Sequence, residues 1–142
     1  MPTRNASAAW NGELTSGNGT MRLGSGAYEG PYSFSSRFQD GGGTNPEELI
    51  GAALAGCFSM ALANTIAKAG HQPESVETTA DVHLTKDDAG FSISRIDLTT
   101  TGRVPGLAAD EFAKHADATR TGCIVARALG GVEVTVDATL AS

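Results

Sequence analysis

The sequence is short of the features that mark many functional classes. It has only two cysteines, three histidines, one tryptophan and five prolines in 142 residues. Lys and Arg number ten against sixteen Asp and Glu, giving a net charge of -6. With the basic residues scattered singly, no stripe could track a phosphate backbone, so nucleic acid is not an expected partner. The longest apolar stretch, about Leu49 to Ala69, is interrupted by Cys, Ser, Asn and Thr, and Met1-Pro2-Thr3-Arg4-Asn5 leads into no apolar leader. A soluble, cytoplasmic protein with no membrane association is expected. His71, His83 and His115 show neither i,i+4 pairing nor zinc-like spacing to a cysteine, which disfavours a metal site. Gly24-Ser25-Gly26 lacks the following helix of a nucleotide loop and reads as a turn. Ser59 has no G-x-S-x-G setting, so a serine hydrolase is a weak reading.

What is present suits one domain over residues 1–142, long enough to bury roughly 70% of its unfolded surface. Gly, Ser and Thr dominate the first forty residues, with a turn-like Ser16-Gly17-Asn18-Gly19 that predicts a hairpin. Tyr32, Phe34, Ser36 and Phe38 alternate with Ser33, Ser35, Arg37 and Gln39, predicting a third strand with Arg37 on the face away from the aromatics. After Gly41-Gly42-Gly43, the run Thr44-Asn45-Pro46-Glu47-Glu48 carries helix-start signals: Thr44 or Asn45 to cap, Pro46 in the first turn, and two Glu at the positive dipole end. That helix should reach about Ala69 and stop at Gly70, with Ile50, Leu54, Cys57 and Ala61 on its apolar stripe.

Alternation over Val76–Leu84, the turn Lys86–Gly90 and the run from Phe91 to Leu98 predict two long antiparallel strands. A parity change after Ile93 places a bulge near Ser94 and Arg95. A helix from Asp110, a break at Gly122, a short helix over Cys123–Leu129 and a final strand with Val132, Val134 and Val136 complete the order β-β-β-α-β-β-α-α-β. The fold class is α+β.

Cys57 and Cys123 are 66 positions apart, so no C-x-x-C motif exists, and a disulfide between them would be transient and catalytic rather than structural. A free cysteine is ordinarily a small buried hydrophobe. A reactive role for Cys57 needs a nearby cation, because it lies about twelve residues past the helix cap, where the dipole has faded. Arg37 is the best candidate, a solvated strand edge being the plainer alternative. Glu47 lies ten residues before Cys57, about 15 Å of helical rise, and cannot touch its own chain's Cys57. It either caps the helix or joins a Cys57 site in a second subunit.

The segment from Gly43-Thr44-Asn45-Pro46-Glu47-Glu48 through Ala55-Gly56-Cys57-Phe58-Ser59 to Leu62 closely resembles the OsmC branch of the OsmC/Ohr peroxidase family. The likeness extends over Pro31-Tyr32, Arg37-Phe38, Thr78–Val82, Asp88–Phe91, Val104-Pro105-Gly106 and Gly122-Cys123, nearly the whole chain. It implies an OsmC-like fold with a long central helix packed on antiparallel sheet, in an intertwined obligate homodimer with active sites at the interface. It further implies Cys57 as the peroxidatic cysteine, Cys123 as the resolving cysteine, and Arg37 with Glu47 as the pair that orients and activates the thiolate. One departure is visible: Ile124 stands where members usually carry Pro.

The expected reaction is cofactor-free reduction of organic hydroperoxides through a Cys57 sulfenic acid and a Cys57–Cys123 disulfide. The resemblance implies regeneration by a dithiol, lipoyl-type or another thiol. Phe38, Phe58, Leu54 and Met60 are candidate apolar walls for the organic group. The competing readings are a thiol redox sensor, a dimer that binds a hydrophobic ligand without turnover, and an inert scaffold with buried thiols.

Overall fold

The computed structural model describes residues 1–141. They form two compact units, Met1–Leu49 and the remainder from Ile50. In the first unit, β1 (Ala6–Asn11), β2 (Asn18–Leu23) and β3 (Glu29–Tyr32) make an antiparallel meander in the order β1-β2-β3. The expected hairpin is present, its connection spanning residues 12–17 and opened by Gly12 at φ 91°.

The strand expected over Tyr32–Phe38 ends at Tyr32, and a short helix α1 (Phe34–Phe38) takes its place. Ser33 caps α1 by accepting from Ser36 N, while Ser36 Oγ accepts from Ser33 N, a reciprocal capping box. Phe34 and Phe38 satisfy a period of two and also an i,i+4 helical pair; as helical neighbours their rings stand 5.1 Å apart. The serine cap decides between the two periods. Arg37 is therefore a helical residue.

Helix α2 (Pro46–Lys68) starts where expected, with Asn45 Oδ1 accepting from Glu48 N at 2.7 Å, so Asn45 rather than Thr44 is its cap. Gly70 follows it at φ 95°. Its length and apolar composition would suffice to span a membrane. Leu54, Phe58, Leu62 and Ile66, at four-residue steps, are instead fully buried in one cluster with Ile96, Leu98, Phe112 and Ala116. Each such side chain contributes about 1.5–3 kcal/mol on burial.

In the second unit β4 (Ser75–Asp87) and β5 (Gly90–Arg103) are the two long antiparallel strands, and β6 (Glu133–Leu140) adds to β5 in parallel. The sheet is thus mixed, in the order β4-β5-β6. His83 pairs with Arg95 and Leu84 with Ile93, which leaves Ser94 as the extra residue of the expected bulge. Even-numbered β5 residues Ile96, Leu98 and Thr100 face the core. Thr100 is satisfied there by Thr78 Oγ1 at 3.0 Å and the Glu77 carbonyl, and Ser59 Oγ of α2 donates to Thr78 at 2.7 Å. Helix α3 (Ala109–Gly122) lays Phe112, Ala116 and Thr119 against this core, and α4 (Ile124–Ala128) follows after Cys123. The order is that expected, with α1 inserted before the long helix.

Two features lend themselves to test. A Cβ on Gly102 would stand 2.5 Å from Cε1 of the buried Phe112 ring, so Gly102→Ala should destabilise the fold by about 1–3 kcal/mol in denaturant unfolding. On the opposite face, Asp97 accepts from Thr135 at 2.6 Å and pairs with His83 at 2.8 Å and Arg95 at 2.9 Å. The Thr135 hydroxyl first, then His83 and Arg95, outweigh partial burial and lower the Asp97 carboxyl to about 2. A depressed carboxylate stabilises the fold above its ordinary value, near 3.8, and loses that contribution as pH falls through about 2. Asp97→Asn should therefore lower stability at pH 6 and narrow its gap from the parent progressively between pH 4 and 2, measured by urea unfolding.

Candidate active site

The four polar candidates form two pairs, each within one unit. In the first, Arg37 near the end of α1 meets Glu47 in the first turn of α2: Nε donates to Oε1 at 2.9 Å and to Oε2 at 3.3 Å. Glu47 is a 7% exposed carboxylate, and burial of such a charge demands a partner. Its position near the helix start adds favourable dipole. The pair is not a two-nitrogen fork. One nitrogen serves both oxygens, and among the described residues neither Arg37 Nη donates a hydrogen bond. The terminal nitrogens remain available to an incoming polar group.

Aromatic side chains surround this arginine. Trp10, Leu14, Tyr32, Ser33, Phe34, Arg37 and Phe38 line a cavity of about 210 Å³. Trp10 and Tyr32 are tilted at 53° with centroids 5.3 Å apart, and the Arg37 guanidinium lies 5.3 Å from the Phe38 ring centre. Of the apolar wall candidates, Phe38 is the one in this cavity. Leu54 and Phe58 are fully buried in the core of the second unit and offer no surface to a ligand. Met60 is 76% exposed on α2. Trp10, Leu14 and Phe34 are not among the wall candidates read from the sequence; a strand over 32–38 sets Phe34 on the face away from Arg37, whereas the helix brings them together.

The second pair is Cys57 and Cys123. Cys57 lies on the apolar side of α2 with Ile50, Leu54 and Ala61, as its spacing suggested, but not at the centre of the buried stripe. The larger apolar side chains Leu54, Phe58, Leu62 and Ile66 take that centre, and Cys57 is left half-buried at its edge. Cys123 is buried and stands at the joint of two helices, ending α3 through its N–H to the Thr119 carbonyl and capping α4 through its sulfur. Its Sγ accepts from Ala126 N at 3.4 Å, and Cys57 Sγ accepts from Val125 N at 3.4 Å. Consecutive amides at the start of α4 thus meet both sulfurs.

Cys57 lies near enough to Cys123 to act on the Cys123 thiol. Burial pushes the Cys123 thiol up from its ordinary range, the Ala126 amide offsets part of that, and the neighbouring Cys57 pushes it up further. Cys123 is thereby kept as a protonated thiol beside a more exposed sulfur. The contribution of Val125 and Ala126 is a backbone one and left no mark on residue type. Gly122-Cys123 was its sole trace. Ile124, where Pro was expected, is the first residue of α4 and 80% exposed. At that helix position Pro and other residues interchange readily, since the N–H has no intrahelical partner.

Ser59 spends its hydroxyl on Thr78, and no group of three or more His, Cys, Asp or Glu among the described residues could hold a metal.

Residues 39–137 match the family model for OsmC-like protein. The chain is 46% identical over 136 residues to "Peroxiredoxin OsmC" of Escherichia coli, covering 95% of this chain and 94% of that protein. Among solved structures, an OsmC-like protein of unknown function from Vibrio cholerae superposes with a TM-score of 0.77 at 20% identity, covering 97% of this chain and 99% of that one. An organic hydroperoxide resistance protein from Elizabethkingia anophelis gives 0.74 at 24% identity, covering 100% and 97%. At such identities the solved structures establish the α+β fold alone. Family match and curated relative together establish that this chain belongs to the OsmC family.

Proposed function

We propose that the chain is a thiol peroxidase that reduces organic hydroperoxides to alcohols, with Cys57 as nucleophile and Cys123 as resolving thiol. The observation that carries this reading is the pairing of a half-exposed Cys57 with a buried, protonated Cys123 on the amides of α4. Family membership and 46% identity to a peroxiredoxin support a peroxidase-type redox function.

The Cys57 thiolate attacks the terminal peroxide oxygen; the O–O bond breaks, and the alkoxide leaves with a proton as the alcohol. Cys57 becomes a sulfenic acid. Cys123 then attacks the Cys57 sulfur, water leaves, and the disulfide forms. Two thiol–disulfide exchanges with a dithiol, of lipoyl type or similar, return both cysteines to thiols. The Val125 amide stabilises negative charge on the Cys57 sulfur. The free Nη groups of Arg37 bind the peroxide and steady the developing alkoxide, with Glu47 fixing the guanidinium through Nε. The aromatic cavity beside Arg37 takes the organic group. A reducing cytoplasm is the compartment such a resting dithiol suits.

We infer further that two chains share each site in an obligate homodimer. Among the described residues every buried apolar side chain lies at or beyond Leu54, so the first 49 residues hold a three-stranded sheet with no buried apolar side chain. Such a unit needs an external apolar surface. Helix α2 exposes Ala52, Ala53, Gly56 and Met60 along one face, and small residues there permit close approach of another helix. Glu47, about 15 Å along α2 from its own Cys57, then reaches a Cys57 of the partner.

Two measurements test this. Pure protein should consume many equivalents of cumene hydroperoxide with dihydrolipoamide, Cys57→Ser none, and Cys123→Ser about one before stalling; a single equivalent from the parent would identify a sensor instead. Mixing Cys57→Ser with Arg37→Ala chains and refolding them together should restore roughly a quarter of parent activity, the yield of random reassortment with one shared site intact per heterodimer. Two inactive variants that stay inactive when mixed would place Arg37 and Cys57 of each site on one chain.

A further inference from the structure

We propose that Ser36 and Asn45 form a latch whose function is to hold Arg37 in the orientation its reaction needs, which makes them positioning residues rather than merely structural ones. The proposal rests on the role given to Arg37 above. It starts from a weakness: α1 has five residues, too few for a helix to stand by itself, yet it carries the guanidinium.

Four hydrogen bonds that do not belong to the helix ladder compensate. Ser36, 6% exposed, accepts from Ser33 N at 2.8 Å and donates to the Thr44 carbonyl at 2.7 Å. Asn45 Nδ2 donates to the Ser36 carbonyl at 3.0 Å, and Thr44 N donates to the Pro31 carbonyl at 2.8 Å. The loop between α1 and α2 is folded back on itself, with Gly43 at φ 110° where a Cβ would strike the Pro31 carbonyl oxygen.

Asn45 is the shared member. Its Oδ1 caps α2 at Glu48 N while its Nδ2 grips α1 at the residue before Arg37. One side chain thereby sets the start of the helix bearing Glu47 and the end of the helix bearing Arg37. The ion pair between them is built on both ends of that amide. Ser36 closes the opposite side of the same loop, so α1 can neither unwind nor slide along α2 without breaking a buried bond.

Asn45 also allows capping and latching to be separated. Asn45→Asp and the uncharged Asn45→Ser keep an oxygen that caps α2 but lose the Nδ2 that reaches the Ser36 carbonyl; both should fold with little change in thermal midpoint. Oxidation of Cys57 by cumene hydroperoxide, followed in single turnover, should slow by about tenfold or more in each, and likewise in Ser36→Ala, because small misplacements of a positioned group cost rate steeply. In an Arg37→Ala background the same substitutions should cause no further loss. Parent-like oxidation in the Asn45 variants, or an equal further loss without Arg37, would overturn the latch while leaving the role of Arg37 intact. Parent-like oxidation by Arg37→Ala alone would instead remove the role of Arg37, and the latch with it. Should an Asn45 variant fail to fold, Ser36→Ala and its Arg37→Ala double variant carry the same comparison.

Discussion

Burial of the stripe Leu54-Phe58-Leu62-Ile66 fixes how α2 is rotated, and the placement of Cys57 depends on that rotation. Four large side chains at four-residue steps enter the core of Ile96, Leu98, Phe112 and Ala116. Cys57, adjacent to Phe58, is carried to the margin of the buried face. A rotation by one residue would either seal the sulfur in the core or turn it wholly to solvent. At the margin it meets the Val125 amide and the Cys123 sulfur and still keeps an open side. The half-buried position of the Cys57 sulfur is thus a by-product of core packing in the second unit.

A second constraint governs the other pair. Glu47 is buried, and a buried carboxylate without a cation would be strongly destabilising. Arg37 answers it with Nε alone, which leaves the rest of a permanently charged guanidinium uncommitted. Structural need and chemical availability are divided between nitrogens of the same side chain. The aromatic rings about Arg37 lower the polarity around its charge.

The two cysteines illustrate how one local element can differentiate like groups. Both sulfurs receive an amide at the start of α4, yet Cys123 is 3% exposed and held as a thiol by burial, while Cys57 keeps access. Sequence separation of 66 residues is irrelevant once the joint of α3 and α4 lies against the middle of α2.

Most of the element order was legible in the sequence, because patterns of period two and 3.6 reflect single-faced burial, and cap residues such as Asn45 and stops such as Gly70 act locally. The bulge at Ser94 was readable for the same reason, as a parity change in one strand. Residue type and family likeness also marked Cys57, Cys123, Arg37 and Glu47. Tertiary structure alone decided the rest. It resolved Phe34–Phe38 as helix, where two periodicities fitted equally and the Ser33–Ser36 cap tipped the choice. It gave the centre of the α2 stripe to Phe58 rather than Cys57, since larger apolar area outcompetes smaller for the core. It also supplied the α4 amides to both sulfurs, which no side-chain pattern encodes because every residue but proline carries the same N–H.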